Sequence, residues 1–296
     1  MSSTPIQCGP VTIAALLAAG TQRLQKVLLA RDPGATPALD AEVLLAHLLG
    51  VSRARLRSHP EEVQDAGAGA HFLALIERRA AGEPVAYILG RKGFWTLELS
   101  VDPAVLVPRP ETELLVERAL ALHPGTEADV ADLGTGSGAI ALALASARPQ
   151  WRIVATDISA AALAVARANA AALGLTRVDM LQGDWLACLR GRAFHLLVSN
   201  PPYVAAADPA LSQPELLREP RLALVAAEAG LAALRAIIRD APGHLQRGGW
   251  LLLEHGAAQA VAVAGALVGR GFAQVRSHCD LAGRERMTEG QWPTHP

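Results

Sequence analysis

The amino-acid sequence predicts an α/β fold, a doubly wound and mainly parallel sheet, preceded by a small all-helical domain. From about residue 107 onward, short apolar runs alternate with longer helical segments, as in parallel strands joined by crossover helices. Before residue 83, apolar residues recur at helical spacing, and a short β-rich stretch follows. The sequence therefore predicts a helical domain over 1–83, a β-hairpin linker over 84–106 and an α/β domain over 107–296.

The helical domain is predicted from three amphipathic segments. The first carries an apolar stripe made of Ile13, Leu17, Leu24 and Leu28. The second, over 40–49, ends before Gly50, and the third, over about 61–81, ends before Gly82, because glycine favours the cap of a helix. The stripe of the second segment is made of Val43, Leu44, His47 and Leu48. The intervening segments are predicted to be loops, at 31–37 and 52–60.

The linker prediction rests on two β-rich runs, 85–89 and 94–99, with the glycine-bounded turn 90–93 between them. Two prolines then flank Arg109 and fix an extended entry to the last domain. A helix with acidic residues in its first turn is predicted over about 111–122.

The α/β domain is predicted from alternating strands and helices. Strands are expected near 128–133, 152–156, 177–182, 194–199 and 249–254. Helices are expected near 138–147, 159–173, 225–243 and 257–269. In such sheets ligands bind at the carboxyl ends of the strands, so the residues that follow each strand are the candidates for a site.

Composition and charge narrow the function classes. The chain has 296 residues, with 27 basic and 28 acidic residues and a net charge of −1, which is not the electrostatic footprint of a duplex-DNA binder. Arg53, Arg55 and Arg57 form either a local basic patch or part of a solvated face. No apolar stretch approaches the roughly 20 residues that span a bilayer. No basic residue precedes Arg23, as one would in a signal peptide, so a cytoplasmic protein is expected.

Cysteine and histidine spacing argues against disulfides and metal ligation. The three cysteines, Cys8, Cys188 and Cys279, lie far apart and form no C-x-x-C pair, so they are expected to be reduced. The nine histidines form no H-x-x-x-H pair. No metal site is predicted.

A glycine turn after the first strand of the α/β domain is the first candidate for cofactor binding. It consists of Gly134, Thr135, Gly136, Ser137 and Gly138. Glycines at a strand-to-helix turn permit a tight bend and let a ligand approach the backbone. Gly134, Gly136 and Ala139 also fit the dinucleotide pattern G-x-G-x-x-A, so a nicotinamide enzyme and a simple packing turn both remain open at this point.

Two further strand ends supply partners for an adenosine group. Asp157 ends the second strand, where a carboxylate accepts hydrogen bonds from ribose hydroxyls, although an N-cap of the following helix is equally compatible. Asp184 and Trp185 follow the third strand, where an indole lies against an adenine face or simply joins the core. The three strand ends fit one adenosine across the sheet. A nicotinamide enzyme is then disfavoured, because no hydride-transfer partner is evident.

The tetrapeptide after the fourth strand predicts methyl transfer to a planar NH2 group. It consists of Asn200, Pro201, Pro202 and Tyr203. The nitrogen of an amide or of an adenine amino group is a poor nucleophile, because its lone pair is delocalised. Asn200 Oδ1 and the Pro201 carbonyl are expected to bond its two hydrogens and stabilise the positive charge that develops as the methyl arrives. Tyr203 is expected to cover a flat substrate face. The simpler interpretation of Asn-Pro-Pro is a turn after a strand.

With these residues assembled, the chain resembles the release-factor glutamine methyltransferases, the HemK-type protein-(glutamine-N5) methyltransferases. The likeness covers nearly the whole chain. Besides the glycine turn and the tetrapeptide, it is carried by the motifs at 82–90, 108–113, 219–221 and 254–256. The first two of these are more specific than the tetrapeptide, which amino-methylating nucleic-acid enzymes share. Ser137 stands where the family often has a second threonine, which is a conservative change.

The resemblance implies a class I methyltransferase fold of the Rossmann-like type, with S-adenosylmethionine as cofactor and S-adenosylhomocysteine as product. It implies that this cofactor is bound by the turn 134–138, Asp157, Trp185 and Asn200. Asp184, which precedes Trp185, is predicted to bind it as well. It also implies that the tetrapeptide 200–203 holds the glutamine of the Gly-Gly-Gln motif in class I peptide-chain release factors. The helical domain is expected to help grip that partner. No stable nucleic-acid or membrane partner is expected.

Two other functions remain as alternatives. The first is an adenine amino-methyltransferase that acts on a flipped base of DNA or RNA with the same tetrapeptide chemistry. Such a protein is expected to have a target-reading module and a basic groove, and neither is evident in the sequence. The second is a non-catalytic adenosine-binding interaction module of the translation apparatus.

Overall fold

The structure is a computed structural model that describes residues 11–32, 34–123 and 125–294. The chain divides into two compact units. One comprises the residues up to Leu89 together with Ser212–Arg218, and the other comprises Gly90–Leu211 together with the residues from Glu219 onward. Cys8, one of the cysteines expected to be reduced, lies outside the described residues. Cys188 and Cys279 are free thiols.

The first unit is helical. Its α-helices are α1 (Ile13–Leu28), α2 (Pro37–Leu49), α3 (Arg53–Ser58), α4 (Ala66–Ala80) and α5 (Val85–Leu89). Two short strands, β1 (Val11–Thr12) and β2 (Val63–Gln64), pair antiparallel. The helices bury a single apolar cluster, whose largest members are Ile13, Leu24, Leu44, Leu45, Leu56, Phe72 and Ile76. This core supports the prediction of a separate helical domain.

Helices α1 and α4 pack closely at a glycine. A Cβ on Gly20 would lie 2.7 Å from Cζ of Phe72, so only glycine lets the aromatic ring sit against α1. The buried residues of α1 are Ile13, Leu16, Gly20, Leu24 and Leu28, which confirms the predicted stripe except that Leu16 takes the buried place expected of Leu17. Helix α4 begins after Asp65, whose carboxylate accepts from Ala68 N at 2.7 Å.

Two predictions for the helical unit need correction. The stripe of α2 is made of Ala41, Leu44, Leu45 and Ala46, and His47 is exposed, because small alanines rather than Val43 and Leu48 fill the interior side. The predicted loop 52–60 contains α3, which begins after Ser52, whose hydroxyl accepts from Arg55 N at 3.2 Å.

The arginines of α3 are neutralised within the unit. Arg53 and Arg57 both pair with Glu42, at 3.0 and 2.8 Å, and Arg55 pairs with Glu62 at 3.0 Å. Because each guanidinium has a carboxylate partner, these residues form a solvated, balanced face rather than a basic patch.

The sequence predicts a strand over 85–89, but this segment forms helix α5. The backbone N–H groups of Tyr87 and Ile88 donate to Pro84 O at 3.0 and 3.1 Å, and the turn buries Ala86, Tyr87 and Ile88. Proline at the start of a helix costs nothing, since its missing N–H would be unpaired there. A short apolar run does not decide between strand and buried helix by its composition.

A hairpin follows, shifted relative to its prediction. Its strands are β3 (Arg91–Phe94) and β4 (Leu97–Ser100), and Phe94 pairs with Leu97. The turn is therefore at Trp95 and Thr96 rather than at 90–93. Trp95 adopts a left-handed backbone with φ 55°, and its N–H donates to Glu113 Oε1 at 2.8 Å. This bond to the next helix compensates for a conformation that a non-glycine residue rarely takes.

The second unit carries a seven-stranded sheet in the order β12-β13-β11-β8-β5-β6-β7. Its strands are β5 (Asp129–Leu133), β6 (Arg152–Asp157), β7 (Asp179–Gln182), β8 (Phe194–Ser199), β11 (Leu245–Glu254), β12 (Ala273–Cys279) and β13 (Glu285–Gln291). All are parallel except β13, which runs antiparallel to both neighbours. The doubly wound, mainly parallel sheet is confirmed.

Helices cover both faces of the sheet. Those of this unit are α6 (Glu113–Leu122), α7 (Ala139–Ala147), α8 (Ala160–Ala172), α9 (Arg221–Leu224), α10 (Ala232–Asp240) and α11 (Ala260–Arg270). One apolar cluster contains α7, the buried side of α6 and Ala170 of α8, and the other contains α10 and α11. Strands buried on both faces read as continuous apolar runs, which is why β5, β6 and β8 were predictable.

The prediction misses five elements of this unit, namely β9, α9, β10, β12 and β13. The predicted helix 225–243 begins too early, because β10 (Val225–Ala226) pairs parallel with β9 (Val204–Ala205) before α10 starts. The strands β12 and β13 were not predicted, because Arg, Gln, Ser and Glu interrupt their apolar residues.

Within the described part of the chain, no helix has the length and apolar character needed to cross a bilayer. The same residues contain no cluster of three or more His, Cys, Asp or Glu side chains that could hold a metal ion.

Candidate active site

The register of the sheet places the glycine turn beside the tetrapeptide. Strands β5 and β8 are parallel neighbours in which Leu133 pairs with Ser199, and Ser199 Oγ donates to Leu133 O at 2.6 Å. The chain after β5 therefore begins at Gly134 next to Asn200, where the chain after β8 begins. The strand order reverses between β5 and β8, and a crevice opens above such a switch point.

The glycine turn is held by the edge of β6. Gly134 N and Thr135 N both donate to Thr156 O, at 2.8 and 2.9 Å. Gly134 has φ 74°, and a Cβ there would lie 3.0 Å from Cζ3 of Trp185. Both the left-handed backbone and the aromatic neighbour therefore require glycine at this position.

Asp157 fixes the turn from the side. Its Oδ2 accepts from Gly136 N at 2.9 Å and its Oδ1 accepts from Ser159 N at 2.8 Å. The suggestion that Asp157 is the N-cap of the next helix is wrong, because Ser159 holds that position and its Oγ accepts from Ala162 N at 3.1 Å. A carboxylate has about four acceptor sites, so Asp157 keeps capacity for further donors.

Trp185 is held in an uncommon backbone conformation at the end of β7. Its φ is 47°, and Thr156 Oγ1 donates to its carbonyl at 3.2 Å. The indole is half-buried and packs both on the core and beside Gly134. The indole therefore packs on the core, and the ligand-platform role stays a prediction. A strained residue at a strand end is typical of a functional site.

A cavity of about 440 Å³ opens at these strand ends. Most of the residues expected to form the site line it: Gly134, Thr135, Gly136, Ser137, Asp157, Asp184, Trp185, Asn200 and Pro202. Gly138, Pro201 and Tyr203 belong to the same loops but are not among the lining residues. Asn200 thus faces the cavity rather than the core.

The tetrapeptide is anchored by side chains that the sequence did not assign to the site. Asn200 Nδ2 donates to Thr112 Oγ1 at 3.0 Å, so the Oδ1 atom of the same carboxamide points away from Thr112. Tyr203 Oη donates to Glu254 Oε1 at 3.1 Å. Thr112 and Glu254 belong to two of the motifs described above, but nothing in their local sequence indicates a partner.

Two carboxyl groups beside the site have strongly raised pKa values. Burial raises the pKa of Glu254 to about 7, against the opposing hydrogen bonds of Thr112 and Tyr203. Burial likewise raises the pKa of Asp132 to about 7, although Thr135 Oγ1 donates to its Oδ2 at 2.6 Å. Burial and the nearby Glu254 raise the pKa of Tyr203, which keeps its hydroxyl protonated. Perturbed groups of this kind are typical of functional sites.

An ion pair beside the cavity is a feature that the sequence did not predict. Arg109 donates to Glu219, whose side chain is 1% exposed, and Val107 N donates to the second carboxylate oxygen at 3.0 Å. This pair ties the entrance of the domain to the end of the loop that follows the tetrapeptide. Arg109 and Pro220 both line the cavity.

Comparisons with known proteins agree with this architecture. The PrmC N-terminal domain matches residues 15–90, and the methyltransferase small domain matches residues 110–227. A methyltransferase from Pyrococcus furiosus shares the fold with a TM-score of 0.52, at 16% sequence identity over 76% of this chain and 99% of that one. Fold and site together define a class I methyltransferase of the Rossmann-like type.

Relatives at higher identity identify the family. The release factor glutamine methyltransferase of Xylella fastidiosa (strain Temecula1) is 50% identical over 280 residues, which cover 94% of this chain and 98% of the relative. The enzyme of the same name from Pseudomonas aeruginosa is 51% identical over 86% of this chain and 92% of its own length. The chain belongs to the release factor glutamine methyltransferase family, and it is an enzyme.

Proposed function

We propose that this chain transfers a methyl group from S-adenosylmethionine to the side-chain amide nitrogen of the glutamine in the Gly-Gly-Gln motif of class I peptide-chain release factors. The observation that carries the proposal is the placement of Asn200 in the wall of the cavity, with Nδ2 bonded to Thr112 and Oδ1 directed elsewhere. The reaction leaves S-adenosylhomocysteine. It takes place in the cytoplasm, where release factors act.

The cavity fits an adenosine-bearing cofactor. The turn 134–138 leaves the backbone open to a ligand, since a Cβ on Gly136 would meet no atom within 4 Å. Asp157 would accept hydrogen bonds from the ribose hydroxyls, and Asp184 and Trp185 would hold the adenine. When bound, this cofactor supplies a methyl group attached to a positively charged sulfur, which is an electrophile.

The tetrapeptide holds the acceptor nitrogen. Asn200 Oδ1 and the Pro201 carbonyl accept one hydrogen each from the target NH2 group, which orients the nitrogen toward the methyl carbon. The nitrogen would form its new bond to that carbon as the carbon–sulfur bond breaks, with the electron pair of that bond passing to sulfur, and it would then release one proton to solvent. As positive charge develops on the nitrogen, the two oxygen dipoles stabilise it. Tyr203, whose hydroxyl is held by Glu254, supports the flat face of the substrate.

The helical unit is proposed to help grip the release factor. It contributes neither the glycine turn nor the tetrapeptide, and its arginines are paired internally. Residues 1–83, 84–106 and 107–296 remain the proposed functional divisions of the chain. Neither alternative function is favoured: the three arginines of α3 are paired with glutamates, and family members carry the name of a protein methyltransferase.

The proposal is tested by incubating the protein with labelled S-adenosylmethionine and either purified release factor or mixed nucleic acids. We expect label in the release factor alone, and mass spectrometry is expected to locate one methyl group on the Gly-Gly-Gln glutamine. A release factor whose glutamine is replaced by alanine serves as the matched control and is expected to stay unlabelled. Label found only in nucleic acid would overturn the proposal.

The substitution Asn200→Ala removes one of the two acceptors. We expect the rate of methyl transfer to fall by at least about 100-fold, because an acceptor aimed at developing charge contributes on that scale. The dissociation constant of S-adenosylmethionine, measured by calorimetry, is expected to rise by less than about tenfold, because the other lining residues remain. Unchanged turnover would contradict the role assigned to Asn200.

A further inference from the structure

We propose that Thr112 and Glu254 are positioning residues, which together set the direction of the Asn200 carboxamide so that its oxygen, and not its NH2 group, meets the target nitrogen. This inference rests on the proposed function of the tetrapeptide. It adds two side chains from outside the tetrapeptide to the reaction.

Thr112 contacts the Asn200 side chain directly. Thr112 is 4% exposed and ends the short turn before α6. Its Oγ1 accepts from Asn200 Nδ2 at 3.0 Å. A carboxamide has a donor end and an acceptor end, and the two exchange places when the group turns by about 180°. The contact with Thr112 alone does not fix the choice, because a hydroxyl can either donate or accept.

Glu254 determines the direction in which the Thr112 hydroxyl donates its proton. Glu254 is 2% exposed, Tyr203 Oη donates to its Oε1 at 3.1 Å, and its buried Oε2 has no hydrogen-bond partner among the described residues. The Thr112 hydroxyl acts on this carboxyl as a donor, since it lowers the pKa of Glu254 against the effect of burial. An ionised carboxylate only accepts. When the single proton of Thr112 is directed toward this carboxyl, the Thr112 oxygen is left to accept from Asn200 Nδ2. The chain of bonds then runs in one direction, from Asn200 Nδ2 through Thr112 to Glu254.

The reversed carboxamide would be unfavourable at both ends. Thr112 would have to donate to Asn200 Oδ1 and so abandon Glu254, which would leave a buried carboxylate with one donor fewer. At the same time Asn200 Nδ2 would present donors to the donors of the target NH2 group. The arrangement therefore selects the productive orientation before the substrate arrives.

The backbone of the tetrapeptide is held by different contacts. Gln259 Nε2 donates to Tyr203 O at 3.0 Å, and Gly230 packs against the same carbonyl so closely that a Cβ there would lie 2.1 Å from it. Neither contact involves Thr112. Removing the Thr112 hydroxyl is therefore expected to free the Asn200 side chain without displacing the loop.

The pH profile supplies a readout that a purely structural role would not give. Burial raises the pKa of Glu254 to about 7, and the other charged groups that act on it are Glu111, which raises the pKa, and Arg286, which lowers it. Below that pH the protonated carboxyl can itself donate, and the direction of the chain is lost. The rate of the chemical step is expected to fall as the pH decreases through about 7.

The experiment compares Thr112→Val, Thr112→Ser and Glu254→Gln in the full-length protein, by single-turnover methylation of release factor and by calorimetric binding of S-adenosylmethionine. We expect Thr112→Val to slow methyl transfer roughly 10- to 100-fold, with cofactor affinity within about threefold, since misplacement of a reacting group costs on that scale. Thr112→Ser, which keeps the hydroxyl, is expected to restore most of the rate.

Glu254→Gln keeps the size of the side chain and tests the relay if Thr112→Val folds poorly. We expect a rate roughly tenfold or more below wild type at pH 8, with no further decrease toward pH 6. Turnover of Thr112→Val within about twofold of wild type, or a wild-type pH profile in Glu254→Gln, would overturn the inference while the proposed function stands. Absence of methyl transfer by the wild-type protein would instead refute the proposed function.

Discussion

At the scale of single residues, the sequence predicts the chemical role of Asn200 but not the side chains that hold it. The residues of the tetrapeptide identify the acceptors by chemistry alone, and Asn200 lines the cavity as that chemistry requires. The partners that hold it, Thr112 and, through Thr112, Glu254, lie 88 residues before Asn200 and beyond the end of the loop. No local pattern connects such positions. They meet because Leu253 of β11 pairs with Ser199 of β8, which sets Glu254 beside Asn200.

The substitution Asp157→Ala tests the cofactor site. It removes the proposed acceptor for the ribose hydroxyls and also the carboxylate that holds Gly136 N and Ser159 N. We expect the affinity for S-adenosylmethionine, measured by calorimetry, to fall about 10- to 100-fold, because hydrogen bonds to a charged group contribute roughly 1.5 to 3 kcal/mol. Asp179→Ala, at an exposed position of β7, is the matched control and should leave the affinity unchanged.

Glu254 also predicts how stability depends on pH. Its pKa in the folded protein is about 7, above the ordinary value of 4.5, so the folded state holds a proton that the unfolded chain has released between these two values. The contribution is complete below about 4.5 and is lost as the pH rises through 7. We expect urea unfolding of Glu254→Gln to show a decrease in unfolding free energy between pH 5 and pH 8 that is smaller than in wild type by roughly 2 kcal/mol.

The control for this measurement is Glu61→Gln, which changes an exposed carboxylate of the helical unit. Its pH dependence is expected to follow that of wild type. Equal slopes for wild type and Glu254→Gln would show that the carboxyl of Glu254 titrates normally in the folded protein.

At the scale of elements, predictability follows burial. Strands β5, β6 and β8 are buried on both faces and read as apolar runs, so the sequence predicts them and the sites at their ends. Strand β12 at the sheet edge is largely exposed, and both β12 and its inner neighbour β13 carry polar residues among their apolar ones, so they read as mixed sequence even though the middle of β13 is buried. The strand prediction for 85–89 is wrong although the segment is apolar, because five apolar residues after a proline suit a buried helical turn as well as a strand. Tertiary packing, and not the local sequence, decides such a segment.

Helix α4 carries an ion pair whose loss we expect to destabilise the helical unit. Arg79, with a side chain 10% exposed, donates to Asp40 at 2.7 Å and to Glu215 at 2.6 Å. Burial raises the pKa of Asp40 even beside Arg79. Arg79→Ala would leave a buried carboxylate without its cation, and we expect the unfolding free energy of this unit, followed by hydrogen exchange, to fall by about 3 to 5 kcal/mol.

Arg23→Ala is the matched control for Arg79→Ala. Arg23 pairs with Glu77 at 2.7 Å, but both side chains are about half exposed. Exposed pairs contribute about 0 to 1 kcal/mol, so little loss is expected. Similar losses for the two variants would contradict the view that burial gives the Arg79 cluster its importance.

At the scale of the whole molecule, charge balance predicts indifference to nucleic acid. The net charge is −1, and the arginines of α3 are paired with glutamates. We expect excess duplex DNA or RNA to reduce methylation of release factor less than about twofold at low salt, because binding of nucleic acid scales with the number of phosphates a protein neutralises. Strong competition that disappears with added salt would instead indicate a basic groove and favour the nucleic-acid alternative.

The discontinuity of the helical unit has a consequence for how the chain can be cut and recombined. Because Ser212–Arg218 belongs to the unit formed by the residues up to Leu89, the polypeptide crosses between units at three places along its length. A truncation that removes the residues before position 90 would leave Glu215 without its partner Arg79 and Arg218 without its partner, the Ala81 carbonyl. A single cut in the chain therefore cannot separate the two units, and simple fusion cannot replace one of them by a foreign domain. We expect the two units to occur together in related proteins.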